Sequence, residues 1–161
     1  MDQRESISLS GTHHLGVIVK DIEKTMEYYE KNFSCTFQTP PESGTERTRV
    51  VHHKGALLHG KPTDYAVKIA FTKLGPMYIE FVQPLEGRSH ASEFLETHGE
   101  GIQHVALMTD DIKAGSAKME KLGFSVVAAC DEPQHPSWAY FDTNKMGGIM
   151  FELIQLTRRP R

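Results

Sequence analysis

The sequence predicts an α+β protein built from two pseudo-symmetric βαβββ modules, whose strands join in one curved mixed, largely antiparallel sheet with helices outside. Two matched pairs of segments predict it. His14-Leu-Gly-Val-Ile-Val-Lys-Asp21-Ile22 returns 90 residues later as His104-Val-Ala-Leu-Met-Thr-Asp-Asp111-Ile112. Gly75-Pro-Met-Tyr-Ile-Glu80-Phe-Val-Gln83 returns 72 residues later as Gly147-Gly-Ile-Met-Phe-Glu152-Leu-Ile-Gln155. Self-similarity of this kind marks a repeated supersecondary unit. Each half therefore reads strand, helix, then further strands ending in an apolar strand with a central Glu.

In chain order, the first His-bearing segment is an apolar strand that runs into a helix. Ile22, Met26, Tyr29 and Phe33 recur at the spacing of one helix face. Asp21 stands where an N-cap is wanted, its carboxylate accepting from free N–H groups of the first turn. His14 and Glu80 are 66 residues apart, against 48 for His104 and Glu152. The surplus is assigned to a loop insertion near 38–65, because Pro40, Pro41, Gly44, Gly55, Gly60 and Pro62 give that stretch a loop-like composition. The first module is thus 11–87. Residues 88–100 form a linking helix, Ser89 to His98, closed by Gly99. The second module, 101–156, repeats the plan: Asp111 caps a helix carrying Ile112, Met119 and Leu122, and Gly123 stops it. Sharing a sheet, the modules make a single compact domain.

Side chains alternate between the faces of a strand. His14 shares a face with Gly16 and Ile18, and His104 with Ala106 and Met108. Glu80 lies with Tyr78 and Val82, and Glu152 with Met150 and Ile154. Both faces of each strand are apolar, so both are expected to be covered. A carboxylate there loses hydration, which is costly unless something pairs with it. Any one of these residues could be structural. Two equivalent His and two equivalent Glu, brought together by a pseudo-twofold axis, point instead to ligands of a divalent cation: His14, Glu80, His104 and Glu152. Zn²⁺, Co²⁺, Ni²⁺, Mn²⁺ and Fe²⁺ all suit mixed imidazole and carboxylate donors.

Composition narrows the class. The chain has 161 residues, with 39% hydrophobic and 24% charged, as expected of an ordinary globular protein. No apolar run approaches a membrane span, and Met1-Asp2-Gln3-Arg4-Glu5 is too polar for a signal peptide. A net charge of −3 argues against nucleic acid as a partner. Two cysteines, Cys35 and Cys130, cannot make a disulfide framework, so a reducing cytoplasm is the expected location, with both thiols as small buried hydrophobes. Of the nine His, only His14 and His104 are given roles. His90, His98 and His135 are expected at exposed loops or helix ends. His13, on the face opposite His14, is expected on the surface or behind the ligands. Gln103 is expected to be a structural hydrogen bonder, and Trp138 and Tyr140 to line a pocket or fill the core.

The motifs His14-Leu-Gly-Val, Tyr-Ile-Glu80-Phe, Gly101-Ile-Gln-His104-Val-Ala and Phe-Glu152-Leu-Ile resemble those of the vicinal oxygen chelate (glyoxalase, bleomycin resistance, dioxygenase) superfamily, from about Gly11 to Leu156. Within it the chain is most similar to methylmalonyl-CoA epimerases. Gln103-His104 replaces their usual His-His, and Asp142-Thr-Asn-Lys145 replaces their His-Pro-Lys turn. The resemblance implies that the four ligand positions face the inside of a half-open sheet around one divalent metal ion, and that the protein is a homodimer.

A divalent ion with open positions polarises a carbonyl and stabilises the enediolate left when the adjacent C–H loses its proton. The expected activity is a metal-dependent isomerase or epimerase acting next to a carbonyl or thioester, with methylmalonyl-CoA as the leading substrate. The alternatives are a glyoxalase I-type lactoylglutathione lyase acting on a thiol adduct, and a bleomycin-resistance-like binding module. The resemblance suggests a ligand carboxylate as base, Glu152 first and Glu80 second. Between Glu46 and Lys68 five basic residues face two acidic ones. Arg47, Arg49 and Lys54 there could clamp an anionic substrate such as an acyl-CoA. The plainer reading, a solvated basic loop, is preferred.

Overall fold

The structure is a computed structural model and describes residues 11–39, 45–133, 135–145 and 147–156. The polar start at 1–5, and Pro40, Pro41 and Gly44 of the expected loop, lie outside the described residues. The elements are β1 (Thr12–Ile18), α1 (Ile22–Phe33), β2 (Phe37–Gln38), β3 (Arg49–Leu58), β4 (Lys61–Leu74), β5 (Met77–Glu86), α2 (His90–His98), β6 (Gly101–Met108), α3 (Ile112–Lys121), β7 (Val126–Cys130), β8 (Ser137–Phe141) and β9 (Met150–Gln155), with a 3₁₀ turn at Thr143–Lys145. Among the described residues no helix is long and apolar enough to cross a membrane.

The strands run in the order β2-β4-β3-β7-β8-β9-β6-β1-β5, and β4 also pairs with β5, so the sheet closes on itself. Each module contributes the same local order, β3-β4-β5-β1 in the first and β7-β8-β9-β6 in the second. β1–β5 and β6–β9 are parallel, and the remaining pairs are antiparallel. Two antiparallel seams, β1–β6 and β3–β7, join the modules. β3–β7 is narrow, with only Leu57 opposite Ala129 and Leu58 opposite Ala128. The half-open sheet that the resemblance implied is therefore closed at this seam.

The stretch expected as a loop insertion is a correction. Residues 49–74 form the β3–β4 hairpin, turning through His59 and Gly60, both with positive φ. β3 and β4 are 10 and 14 residues long, against 5 each for β7 and β8. The surplus of the first module has therefore largely gone into longer strands. The misreading has a local cause. A bulge between His53 and Ala56, with Gly55 at φ 63°, breaks the two-residue alternation by which a strand is recognised.

The helices follow the sequence. Asp21 Oδ1 accepts from the Lys24 N–H at 3.1 Å, and Asp111 Oδ1 from the Ala114 N–H at 3.0 Å. A second cap supports each helix start. Gln83 Oε1 accepts the Ile22 N–H at 2.9 Å, and Gln155 Oε1 accepts the Ile112 N–H at 3.0 Å. Each module's last strand thus ties down its own helix start, which accounts for the repeated Gln three residues after each Glu. α1 buries Ile22 and Met26 against Phe37, Ala70 and Phe81, while α3 buries Met119 against Leu107, Phe141 and Leu153. A third apolar cluster, including Ile18, Tyr65, Val67, Val82, Trp138 and Tyr140, faces the inside of the closed sheet. The linking helix α2 is capped by Ser89 and Ser92 in a reciprocal capping box.

Gly16 stands opposite His104 in the β1–β6 register. A Cβ on Gly16 would fall 1.9 Å from His104 Cε1, far closer to the imidazole than van der Waals contact allows. Gly16→Ala is expected to destabilise the protein by about 1–3 kcal/mol, the usual range for overpacking. In a Gly16→Ala/His104→Ala double variant most of that loss should vanish, because the ring it strikes is gone. Urea unfolding of the four proteins measures this, and additive losses would refute the clash.

Candidate metal centre

β1 and β6 place His14 and His104 side by side at the floor of the closed sheet. β5 and β9, their parallel neighbours, bring in Glu80 and Glu152. The His14 and His104 Nε2 atoms are 3.2 Å apart. Glu80 Oε2 is 3.1 Å from His14 Nε2 and 3.8 Å from His104 Nε2. Glu152 Oε2 is 3.4 Å and 3.5 Å from the same two atoms. Two atoms bound to one ion at about 2.1 Å can be at most about 4.2 Å apart, and the five separations that involve an imidazole meet that limit, while Glu80 and Glu152 do not fall in one ligand group. His14, Glu80 and His104 form a candidate metal-ligand group. His104 is fully buried, and His14 and Glu152 nearly so. Glu152 Oε2 has no hydrogen-bond partner, a costly state that a cation would relieve.

The protonation of the two imidazoles follows from their neighbours. Burial pulls His14 down, but the charges and close approach of Glu80 and Glu152 outweigh it and raise its pKa to about 10. Burial and the neighbouring His14 charge hold His104 well below the ordinary histidine value. With two Nε2 atoms so close, one proton serves both rings. Burial raises Glu152, partly offset by the close approach and the charge of His14.

Gln103 sets the direction of the His104 ring. Its Nε2 donates to the His90 carbonyl at 2.9 Å, which orients the amide. Its Oε1 then accepts from His104 Nδ1 and from His90 Nδ1, both at 3.1 Å. Both imidazoles must carry hydrogen on Nδ1, so neutral His104 presents the Nε2 lone pair to Glu80, Glu152 and His14. Outer hydrogen bonds of this kind orient a ligating histidine. Gln103 is thus a hydrogen bonder as expected, although a buried one that touches the ring of its neighbour. His90, expected to be exposed, is instead buried and stacked on Tyr140 at 4.0 Å between ring centres. His13 Nδ1 lies 2.7 Å from His14 Nδ1, behind the candidate ligand.

Above the floor is a cavity of about 480 Å³, lined by His14, Glu80 and Glu152 with a largely apolar wall that includes Val51, Tyr65, Phe71, Trp138 and Ile154. The three basic residues read as a possible clamp are not gathered there. Arg49 lines the cavity, and its Nε is 3.8 Å from Glu46. Arg47 is bound to Glu30 at 2.6 Å, and Lys54 lies 3.7 Å from Asp64. Tyr65, overlooked in the sequence, has a buried hydroxyl with no partner. It lies in the 38–65 stretch whose glycines and prolines resemble a loop.

The profile of the Glyoxalase/Bleomycin resistance protein/Dioxygenase superfamily matches residues 13–155. The chain belongs to that superfamily. Its fold is similar to that of a methylmalonyl-CoA epimerase from Mycobacterium tuberculosis, with a TM-score of 0.62 and 19% identity over 97% of this chain and 95% of that one. A variant of the Streptomyces coelicolor methylmalonyl-CoA epimerase, in complex with 2-nitronate-propionyl-CoA, matches with a TM-score of 0.66 and 20% identity over 96% of this chain and 99% of that one. A 4-hydroxyphenylpyruvate dioxygenase from Pseudomonas aeruginosa is 35% identical over 75 residues, 46% of this chain. The matched stretch is 21% of that dioxygenase's length. The superfamily's name spans glyoxalases, dioxygenases and bleomycin resistance proteins, so membership fixes the family and leaves the activity to the site.

Burial lowers His90 to about 4, although its hydrogen bond to Gln103 opposes the shift. A depressed histidine contributes stability above its unfolded pKa of about 6.5 and loses it as pH falls through about 4. The wild type should therefore lose on the order of 3 kcal/mol through this residue between those pH values. His90→Phe, which keeps a ring against Tyr140, should show a shallower slope when denaturant midpoints are followed from pH 7 to pH 4. An unchanged slope would show that His90 does not titrate on unfolding.

Proposed function

We propose that the protein is a divalent-metal-dependent isomerase that moves a proton at a carbon next to a carbonyl or thioester, with methylmalonyl-CoA epimerase as the specific activity. The observation that carries this reading is Glu152. It is a buried carboxylate with an orphaned oxygen, at the floor of an apolar cavity and beside three further candidate ligands. His14, Glu80, His104 and Glu152 would hold the ion, and the donor set suits Zn²⁺, Co²⁺, Ni²⁺, Mn²⁺ or Fe²⁺. When bound, the ion supplies positive charge that polarises the substrate carbonyl and offsets the negative charge left by deprotonation.

The chain's own groups do the rest. Glu152 Oε2 takes the proton, its basicity raised by burial; Glu80, nearer the cavity mouth at 12% side-chain exposure, is the second candidate. The Tyr65 hydroxyl, buried and unpartnered, is available to donate to a substrate oxygen. Val51, Val67, Ile69 and Phe71 keep water from the reacting carbon, which strengthens every charge interaction inside. A volume of about 480 Å³ suits the acyl end of a thioester, with Arg49 as the cation for an anionic group. Arg47 and Lys54, held by their acidic neighbours, would contribute at most from the rim.

Metal-loaded protein in D₂O should exchange the α-proton of methylmalonyl-CoA, read by NMR. Glu152→Gln should slow exchange by about 10²–10⁴-fold, with metal content measured in parallel. Absence of exchange by fully loaded wild type would overturn the assignment. Because His14 is protonated in the ion-free protein up to pH about 10, ion binding at this site must release at least one proton. Calorimetry in buffers of different ionisation enthalpy should report that proton, and apparent affinity should rise about tenfold per pH unit between pH 6 and 8. A pH-independent affinity would exclude His14 as a ligand.

A further inference from the structure

A second group of metal-ligating side chains lies outside the floor of the cavity. It comprises His53 of β3, Cys130 at the end of β7, and Glu132 just beyond it. Cys130 Sγ lies 3.5 Å from His53 Nδ1 and 3.3 Å from Glu132 Oε1, and His53 Nδ1 is 3.5 Å from the same carboxylate oxygen. Bonds of about 2.3 Å to sulfur and 2.0–2.2 Å to nitrogen and oxygen set the corners of a zinc tetrahedron roughly 3.4–3.6 Å apart. The triangle is thus already close to the size that such an ion imposes.

Its members are held from outside. The His53 ring is wedged against Tyr65, Trp138 and His135, with ring centres 4.8, 5.4 and 5.3 Å away. Glu132 Oε1 also accepts the Lys54 backbone N–H at 3.1 Å. His53 and Cys130 are buried, and Glu132 is largely so. The trio sits where β3 and β7 part after their two residue pairs, so an ion there would bridge the narrow seam. Use of Cys130 as a nucleophile is disfavoured, because burial pushes its thiol up to about 12 and leaves it protonated at neutral pH.

We propose that His53 Nδ1, Cys130 Sγ and Glu132 Oε1 form a second metal site, for Zn²⁺ or a similar thiolate-preferring ion, that clips β3 to the end of β7 beside the cavity. The fourth corner is left for water or for His135. Binding draws the proton from the thiol and releases it to solvent; no electron transfer is involved. A thiolate in the donor set selects against Mg²⁺, Ca²⁺ and Mn²⁺.

Cobalt distinguishes this site from the cavity floor, whose four candidate ligands include no sulfur. The full chain, stripped of metal and kept reduced, is titrated with Co²⁺ without oxygen. The expected result is a near-ultraviolet sulfur-to-cobalt charge-transfer band that corresponds to one bound equivalent, over and above any held at the floor, and is bleached by Zn²⁺. Cys130→Ser, with melting as a check on its fold, should lose that band and one equivalent of Co²⁺ while any equivalent bound at the floor remains. His104→Ala should keep the band. Should Cys130→Ser fail to fold, Glu132→Gln must weaken this Co²⁺ by more than the roughly 10–100-fold lost with an outer hydrogen bond. No sulfur band in saturated wild type, or a band that persists in Cys130→Ser, overturns the proposal.

Discussion

The pairing of β1 with β6 is the contact on which the rest of the molecule depends. It is the broad seam between the modules, and it sets Gly16 across from His104. The hydrogen atom that replaces a side chain at Gly16 leaves room for the His104 ring, which then reaches within 3.2 Å of His14. Parallel pairing carries the same relation outward. β5 lies against β1 and β9 against β6, so each glutamate arrives beside the histidine of its own module.

Burial makes this convergence expensive. Two carboxylates and two imidazoles share a largely buried floor, and the ion-free protein relieves only part of the cost by keeping a proton on His14. Glu152 Oε2 is left with no hydrogen bond. A buried charge group persists when its remaining demands are met, and a divalent cation meets them with one partner. Gln103 serves the same end from behind, since its carbonyl oxygen settles which nitrogen of His104 faces the floor.

The cavity wall is largely apolar because the closed sheet turns its inner face to it. Basic residues in and just before the β3–β4 hairpin are paired with acidic ones: Lys68 contacts Glu23, and Arg47 contacts Glu30. Under the proposed function, substrate recognition rests on the polar groups of the floor and on shape. Arg49 is the basic side chain, histidines aside, that lines the cavity.

Much of the fold was legible in the residues. The matched His and Glu segments revealed the duplication, the Asp caps located α1 and α3, and the four polar residues on apolar strands are brought together by the sheet. These signals are local or repeat at fixed spacing, so they survive in one dimension. The long β3–β4 hairpin was misread because a bulge at Gly55 interrupts alternation and because glycines and prolines mimic a loop. His90, His53, Cys130 and Tyr65 gave no signal, since each is defined by what stands across from it. The sequence by itself determined two copies of a half-site. Only the tertiary structure decided that the sheet closes at β3–β7, which nitrogen of His104 is free, and which lone residues share a pocket. Those outcomes depend on distances between strands far apart in the chain, and no spacing along it records them.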